Sequence, residues 1–330
     1  MHHKSVLLHE AIEALNIDPS GIYIDGTFGS GGHSRLILSK LTKFGRLIAF
    51  DKDHLSVEIG KTIFNQDSRF SIVHMSFSKA MNYVHNVKLL GSINGILLDL
   101  GICENQLFDA NRGFSFIKDG PLDMRMDITT GQTAAQWIAM SSQEHITWVL
   151  KNLGEERFCK KIAKSILFHR RIRPIVRTHE LSKIVSDIIV PSRIKKNSWN
   201  KHPATRSFLA IRMHINKELE AIAKVLKDMY NLLSNKGRLV IISFNSLEDR
   251  LVKHFIYKHS RIFPELPKLA LTESQIINIF SSSCQFKNIG KIIPTKQEIK
   301  ENIRARSAIL RCAEKIDKTY INRYDLSKTI

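Results

Sequence analysis

The chain has 330 residues and carries 50 Lys and Arg against 31 Asp and Glu, a formal net charge of +19. Its apolar content of 43% is that of a globular protein and argues against a disordered one, and the length accommodates about two domains. The excess positive charge favours a polyanionic partner, nucleic acid first and an anionic membrane surface second.

The four cysteines are far apart and form no C-x-x-C pair, which argues against a zinc site or a disulfide framework. Such cysteine usage is typical of the reducing cytosol. The sequence contains neither a secretory signal pattern nor an apolar run approaching the ~18 residues that span a bilayer. We therefore expect a cytoplasmic protein that does not enter a membrane.

The first half of a βαβ unit follows an amphipathic N-terminal helix, predicted over 6–17. Residues 22–24 form a short β-branched and aromatic run that is typical of a buried strand, and 34–41 has apolar residues at helical spacing. Between them lies Asp25-Gly26-Thr27-Phe28-Gly29-Ser30-Gly31-Gly32-His33. Glycines let the backbone approach a ligand closely, and the N-terminus of a helix offers unpaired N–H groups to it.

This glycine-rich segment is not a dinucleotide fingerprint, because Ser34 replaces the third glycine of G-x-G-x-x-G. The next predicted strand, 46–50, leads into Asp51, where an acidic residue is well placed to hold the two hydroxyls of a ribose. A ribose site without a pyrophosphate fingerprint indicates S-adenosylmethionine more than NAD. The alternative is a glycine-rich turn that a chance acidic residue follows.

Strands and helices continue to alternate, which predicts a parallel, doubly wound α/β sheet. Further strands are predicted over 70–74 and 95–101, and the second of these is apolar throughout, as strands buried on both faces are. The next convincing strand, 238–244, lies more than a hundred residues further on. That gap is too long for one crossover, so a domain must be inserted.

The insert is predicted to be helical, with helices over 134–140, 144–153, 155–170 and 179–190. A long helix over 205–233 returns the chain to the sheet. Residues 151–206 contain fifteen Lys and Arg and four Asp and Glu, so they carry +11 of the net +19. We predict a sheet domain in two parts, 1–108 and 205–330, and an inserted domain over 109–204.

The C-terminal part is predicted to contain a helix over 247–260, a loop over 264–270 and a weaker helix over 273–280. Two closing strands are expected over 286–289 and 305–311.

Several long motifs resemble the bacterial ribosomal RNA small subunit methyltransferase H family. The resemblance runs from about His3 to Glu314, nearly the whole chain. The motifs that carry it are His3-x-x-Val6-Leu7-Leu8, the segment Asp25–Ser34, Arg112-Gly113-Phe114-Ser115-Phe116, Asp119-Gly120-Pro121-Leu122-Asp123-Met124-Arg125-Met126-Asp127, Gly154-Glu155-Glu156-Arg157-Phe158, His202-Pro203-Ala204-Thr205-Arg206, Ser246-Leu247-Glu248-Asp249-Arg250 and Arg304-Ala305-Arg306-Ser307.

The resemblance implies a Rossmann-like class I methyltransferase sheet with an inserted all-helical domain. It implies methyl transfer from S-adenosylmethionine to the N4 amine of a cytidine in the decoding region of 16S ribosomal RNA, within the small ribosomal subunit. It also implies a set of cofactor-binding residues: Gly31, Gly32, His33, Asp51 on the ribose, Phe77 beside the adenine, Asp99 and Gln106.

Each of these residues has a structural alternative. Phe77 follows a strand and could be a core phenylalanine, and His33 could merely begin a helix. Asp99 ends an apolar strand at the sheet edge where ligands of open α/β sheets bind, but a carboxylate there could also cap a turn. A buried charge does need a partner. Gln106 is singled out by the resemblance alone.

The chain departs from the family pattern at three places. The usual Ser-Ser-Pro before Gln106 is Cys103-Glu104-Asn105, the usual histidine before Ser246 is Asn245, and the usual proline before Arg304 is Ile303. The first change adjoins the expected cofactor site, so it bears on the catalytic rate.

Methylation of the cytosine amine requires no metal and no covalent enzyme intermediate. The amine is a poor nucleophile that must be aligned with the methyl group. The enzyme must also accept hydrogen bonds from its N–H groups as positive charge develops on the nitrogen. The sequence does not choose a proton acceptor among Asp99, Glu104, Asp123 and Asp127.

Two alternative functions remain for this sequence: a degenerate methyltransferase that binds RNA without catalysis, and a nicotinamide enzyme. The oligomeric state is open, with a homodimer among the alternatives.

The basic insert is predicted to bind the RNA backbone, because clustered arginines can contact phosphates and a neighbouring tryptophan can stack on a base. The alternative is a solvated basic face. One cluster is Arg170, Arg171, Arg173 and Arg177, and a second comprises Arg193, Lys195, Lys196, Lys201 and Arg206 around Trp199.

Overall fold

The computed structural model of the chain describes residues 5–194, 202–260 and 285–317. The chain divides into two compact units: the sheet unit, Met1–Gly101 with Glu220–Ile330, and the helical unit, Ile102–Leu219. The helical unit extends beyond the predicted 109–204 at both ends. Among the described helices, none combines the length and the hydropathy needed to cross a bilayer.

Strands and helices alternate along the first part of the sheet unit, with a short 3-10 helix at Phe77–Lys79. The elements are α1 (Leu8–Leu15), β1 (Ile22–Asp25), α2 (Gly32–Lys40), β2 (Arg46–Asp51), α3 (His54–Ile63), β3 (Phe70–His74), α4 (Ala80–Asn86) and β4 (Ile93–Asp99).

In the described part of the helical unit, the regular elements are all helices. They are α5 (Glu104–Phe108), a 3-10 helix (Ala110–Arg112), α6 (Ala134–Met140), α7 (Gln143–Gly154), α8 (Cys159–Ile172), α9 (Thr178–Ile194) and α10 (Thr205–Ile215). Helix α10 packs against α7 and α6, which explains why the unit continues past residue 204. The core of this unit gathers around Trp137, which is 2% exposed.

The chain completes the sheet unit after the insert. Its last elements are α11 (Glu218–Leu232), which begins at the unit boundary, β5 (Leu233–Ser243), α12 (Ser246–Ser260), β6 (Phe286–Ile292), α13 (Lys296–Glu301), a 3-10 helix (Ile303–Ser307) and β7 (Ile309–Lys315).

The seven strands found among the described residues form one sheet in the order β3-β2-β1-β4-β5-β7-β6. Strands β1 to β5 run parallel to one another, and β7 is antiparallel to both β5 and β6. The predicted parallel sheet is therefore confirmed. Its strand order reverses between β1 and β4, and ligands of open α/β sheets bind at the carboxyl ends of the strands at such a switch point.

The sheet is held by the apolar strands predicted for its centre. Ile96, Leu97 and Leu98 of β4 are all at most 2% exposed, as are Tyr23 on β1 and Phe50 on β2. Burial of each such side chain stabilises the fold by roughly 1.5–3 kcal/mol. The central strands are therefore rigid supports for the groups at their carboxyl ends.

Several predicted elements differ in their bounds. The helix over 155–170 begins only at Cys159, because Glu155 has a left-handed φ of 48° and ends α7. The strand over 238–244 already begins at Leu233. The long helix over 205–233 is two helices, α10 and α11, because Lys217 between them has a left-handed φ of 51°. The closing strand over 305–311 begins only at Ile309, because Asn302 caps a 3-10 helix by accepting the N–H of Arg304. The predicted loop over 264–270 and helix over 273–280 lie outside the described residues.

Candidate functional site

The glycine turn joins the carboxyl end of β1 to the first turn of α2. Gly29 and Gly31 have φ of 56° and 78°, the left-handed region that favours glycine. A Cβ on Gly32 would lie 2.0 Å from the Ser5 hydroxyl, so close packing requires glycine there as well. The predicted residues Gly31, Gly32 and His33 therefore meet at the N-terminus of α2, whose N–H groups favour a polar or anionic ligand.

Asp51 ties this turn to the end of β2. Its Oδ2 accepts the N–H of Gly29 at 2.7 Å, and its Oδ1 accepts the N–H of Asp53 at 2.8 Å. Burial raises the pKa of Asp51 to about 6, although both hydrogen bonds act in the opposite direction. Each carboxylate oxygen has a second lone pair, so Asp51 is fixed in direction and still able to accept ligand hydroxyls.

Asp25 ends β1 and was not predicted as a site residue. Its carboxylate is 1% exposed and accepts the Ser34 hydroxyl at 2.6 Å and the N–H of Thr27 at 3.1 Å. Burial raises the pKa of Asp25 to about 6. Asp25 could have been identified from the sequence, because it is the first residue of the glycine-rich segment and directly follows an apolar strand.

Asp99 ends β4, the strand on the other side of β1. Its Oδ2 lies 3.9 Å from Nδ1 of His33, and its N–H donates to the Thr27 hydroxyl at 2.6 Å. Burial, followed by repulsion from Asp25, raises the pKa of Asp99 to about 8, and the charge of Arg304 opposes this shift. The sheet order thus places three carboxyl groups, on β2, β1 and β4, at neighbouring strand ends.

Two buried polar atoms of this edge fit a bound cofactor. Neither Oδ1 of Asp99 nor the hydroxyl of Ser30 has a hydrogen-bond partner in the part of the chain that the structure describes. A buried polar atom without a partner is costly, and a polar ligand would satisfy it. Ser30, which sequence reasoning missed, lies in the glycine turn, so both atoms belong to the region where the cofactor was expected.

Phe77 begins the 3-10 helix that follows β3. A Cβ on Gly26 would lie 3.1 Å from Cβ of Phe77 and 2.3 Å from the side chain of Leu98. The absence of a side chain at Gly26 therefore lets Phe77 pack directly beside the glycine turn. The ring is half-buried rather than enclosed in the core, which suits a face available to a ligand.

Gln106 belongs to the helical unit rather than the sheet unit. Its side chain is 5% exposed, and its Oε1 accepts the N–H of Cys103 at 3.2 Å, so Gln106 holds the start of α5. The departure Cys103-Glu104-Asn105 therefore forms the first turn of a capped helix. The role of Gln106 toward the cofactor stays a prediction.

The other two departures are accommodated locally. Asn245 accepts the N–H groups of Leu247 and Glu248, both at 3.0 Å, and so caps α12 in the way expected of asparagine. Ile303 is 65% exposed at the start of its 3-10 helix, where it displaces no packed group.

The contacts of three candidates bear on the open question of the proton acceptor, while Glu104, in the first turn of α5, stays an alternative. Both oxygens of Asp123 accept from the guanidinium of Arg125 at 2.8 Å. Asp127 accepts from Thr129 and Thr130. Asp123 and Asp127 are therefore committed to the loop before α6, whereas Asp99 retains one carboxylate oxygen without a hydrogen bond in the described chain.

The loop motifs around these aspartates have a structural role in the helical unit. Arg112 is 6% exposed and donates to the carbonyl oxygens of Arg125 and Met126 at 3.1 and 2.9 Å. A Cβ on Gly120 would lie 1.8 Å from the carbonyl oxygen of Ala110, so glycine is required there. These residues fold a long loop against itself.

Several of the arginines predicted to bind RNA also make contacts within the helical unit, and their role toward RNA stays a prediction. Arg170 donates to the carbonyl oxygens of Ile138 and Ser141 at 2.5 and 2.7 Å, so it ties α8 to the end of α6. The other contacts are ion pairs from Arg173 to Glu180 and from Arg177 to Asp119, and a hydrogen bond from Arg206 to the carbonyl oxygen of Glu155. Arg171 is exposed. The predicted Lys195, Lys196, Lys201 and Trp199 lie outside the described residues.

The fold and the site together define the class of protein to which this chain belongs. A sheet with six parallel strands, an antiparallel β7 and a glycine turn at the β1–β4 switch point is the class I S-adenosylmethionine-dependent methyltransferase fold, here with an inserted helical unit. The chain belongs to the MraW methylase family, whose sequence model matches residues 1–316.

Similar proteins include two from bacteria of the genus Blochmanniella, both named ribosomal RNA small subunit methyltransferase H. The protein from Blochmanniella pennsylvanica is 63% identical over 95% of this chain and 94% of its own length, and that from Blochmanniella floridana is 60% identical over 96% and 98%. Among solved structures, a putative rRNA-methylase from Clostridium thermocellum aligns over 96% of this chain and 100% of its own, with 10% identity and a TM-score of 0.44.

Proposed function

We propose that this protein transfers the methyl group of S-adenosylmethionine to the N4 amine of a cytidine in 16S ribosomal RNA, acting on the small ribosomal subunit in the cytoplasm. The observation that carries the cofactor site is the set of carboxyl groups at the ends of β2, β1 and β4 beside the glycine turn. The names of the two Blochmanniella relatives support the ribosomal RNA substrate.

Bound S-adenosylmethionine supplies an electrophilic methyl group on a positively charged sulfur. Asp51, which two backbone N–H groups hold in place, accepts hydrogen bonds from the ribose hydroxyls. Gly31, Gly32 and His33 present the N-terminus of α2 to the polar groups of the cofactor, and Phe77 packs on the adenine. Ser30 and Asp99 each contribute a polar atom that the described chain leaves unsatisfied.

Methyl transfer forms a bond from N4 to the methyl carbon, breaks the sulfur–methyl bond and releases one proton from the amine. The protein must therefore place negative charge near the sulfur, which is positively charged before the transfer, and near N4, on which positive charge develops during it. Asp99 is suited to this role, because one of its oxygens has no hydrogen bond within the described chain and because neighbouring carboxyl groups make a cation favourable there.

The direct test is methylation in vitro of small ribosomal subunits from cells that lack this protein. Digestion of the RNA and mass spectrometry should identify N4-methylated cytidine when the protein and S-adenosylmethionine are present, and deproteinised 16S RNA tested alongside should be the poorer substrate. Asp99→Asn should reduce the methylation rate. Normal cofactor binding without any methylated cytidine would instead favour an RNA-binding protein that has lost catalysis.

A further inference from the structure

Helix α8 presents a sharply divided surface. At about 100° per residue, its buried residues fall on one side of the helix and its most exposed residues within an arc of roughly 120° on the other. The buried residues are Cys159, Ile162, Ala163 and Ile166. The exposed residues, which we name the α8 basic face, are Lys160, Lys161, Lys164, Phe168, Arg171 and Ile172.

The charge of this face is uniformly positive. Helix α8 contains no Asp or Glu. Among the ion pairs of the described residues, none involves its four exposed cations. These side chains differ in this respect from Arg173 and Arg177, which are paired with Glu180 and Asp119. Clustered like charge destabilises a fold through self-repulsion, and a polyanion relieves it.

An aromatic ring lies among these cations. Phe168 is 61% exposed, one turn after Lys164 and one turn before Arg171 on the same face. Ile172, which is 71% exposed, lies one turn further on, so the two side chains form a small apolar patch among the cations. Proteins that bind single-stranded nucleic acid combine a basic surface along the phosphates with an aromatic ring on which a base stacks.

We propose that the α8 basic face is a docking surface for single-stranded ribosomal RNA, in which the four cations contact phosphates and Phe168 stacks on a base. The inference rests on the proposed RNA substrate and identifies the surface that holds it. An anionic membrane fits less well, because the apolar side of α8 is already buried in the core of the helical unit and the exposed side offers no broad apolar face for insertion.

The test compares two variants of the full chain that lose the same number of positive charges. The α8 variant carries Lys160→Gln, Lys161→Gln, Lys164→Gln and Arg171→Gln. The control variant carries Lys40→Gln, Lys43→Gln, Lys253→Gln and Lys258→Gln, all exposed positions of the sheet unit. Affinity for a single-stranded RNA oligonucleotide is measured across a salt series, after thermal unfolding and S-adenosylmethionine titration have confirmed that each variant is folded.

The logarithm of affinity should fall less steeply with the logarithm of salt concentration in the α8 variant. The slope should decrease by about 0.7 for each phosphate that the variant no longer neutralises, and therefore by roughly 3 for four phosphates. The control variant should keep more of the wild-type slope. On small subunits, the α8 variant should show a raised KM and a preserved kcat. Wild-type affinity and slope in the α8 variant would overturn the proposal.

Two variants of Phe168 distinguish base stacking from a simple apolar contact with the RNA. Phe168→Ala and Phe168→Leu should both reduce RNA affinity on the order of tenfold while keeping the wild-type salt slope, because leucine retains bulk but cannot stack as a ring does. Full retention of RNA affinity by Phe168→Leu would contradict base stacking and indicate a simple apolar contact with the RNA. Loss of binding to anionic vesicles by the α8 variant, with RNA binding unchanged, would contradict the choice of RNA.

These outcomes are independent of the proposed catalytic activity. If wild-type protein methylates small subunits but the α8 variant binds and reacts as wild type does, the docking surface is wrong and the function stands. If wild-type protein binds RNA through α8 but forms no N4-methylcytidine, the docking surface stands and the proposed reaction is wrong.

Discussion

Cofactor binding should release a proton from Asp99. With a pKa of about 8 in the free protein, this carboxyl group is mostly protonated at pH 7. The positive charge of S-adenosylmethionine beside it should lower the pKa toward the ordinary value, since an opposite charge favours the ionised form. The expected release at pH 7 is therefore about 0.9 proton per cofactor bound, and it should fall to about 0.1 at pH 9.

The same shift predicts how the stability of the cofactor-free protein depends on pH. Asp99 binds its proton more tightly when folded, so its contribution is fully present below about pH 4 and is lost as the pH rises through about 8. A shift of about 4 pKa units corresponds to at most about 6 kcal/mol in the free energy of unfolding. Its side chain is 26% exposed, so we expect a few kcal/mol.

Isothermal titration calorimetry in two buffers of different ionisation enthalpy measures the released protons directly. Asp99→Asn is the matched variant, because it keeps the shape of the side chain and cannot titrate. Its binding should depend far less on the buffer at pH 7 than that of the wild type, and its unfolding free energy should decline less between pH 4 and pH 8. Proton release that is zero in the wild type, or equal in the variant, would refute the reasoning.

Four further changes test other parts of the structure. Asp51→Ala should weaken S-adenosylmethionine binding more than RNA binding, since each charge-assisted hydrogen bond that is removed contributes about 1.5–3 kcal/mol; calorimetry that shows unchanged cofactor affinity in a folded variant would contradict the assignment. Replacing Cys103-Glu104-Asn105 by Ser-Ser-Pro should raise single-turnover methylation and leave cofactor affinity nearly unchanged, and equal rates would make this turn a neutral variation. Arg170→Ala should lower the free energy of unfolding by about 1–3 kcal/mol in a denaturant titration, because two carbonyl oxygens lose their donor, and should leave the salt dependence of RNA binding unaltered; a flatter salt dependence would return Arg170 to the RNA surface. Gly32→Ala should lower the melting temperature through its contact with the Ser5 hydroxyl, and adding Ser5→Gly should restore it; no recovery in the double variant would locate the strain elsewhere.

Much of the sheet unit was predictable because its signals are local. The apolar runs of β1, β2 and β4, and the aspartate at the end of each, can be read along the chain without knowledge of its neighbours. A strand that is buried on both faces must be apolar, and a polar residue is tolerated where the strand ends. These local rules selected Asp51 as a candidate site residue and supported Asp99, which the family resemblance singled out, but they did not select Asp25 at the end of β1.

The net charge of the insert could be counted from the sequence, but which of its arginines contact other groups of the protein could not be predicted. Arg170, Arg171, Arg173 and Arg177 look alike in sequence, yet the folded chain places carbonyl or carboxylate oxygens against three of them and leaves Arg171 on the exposed face of α8. An arginine donates to whichever acceptor the fold brings within reach, and such acceptors can be far away in sequence, as Asp119 is from Arg177.

The sequence by itself determined the alternation of elements, the glycine turn, the acidic strand ends and the excess of positive charge. The tertiary structure decided which of these features lie together. The sheet order sets β1 between β2 and β4, so that Asp25 lies beside both Asp51 and Asp99 and shifts their pKa values. The physical reason is that electrostatic repulsion and burial depend on distances in space, and strand pairing brings together residues that are tens of positions apart along the chain.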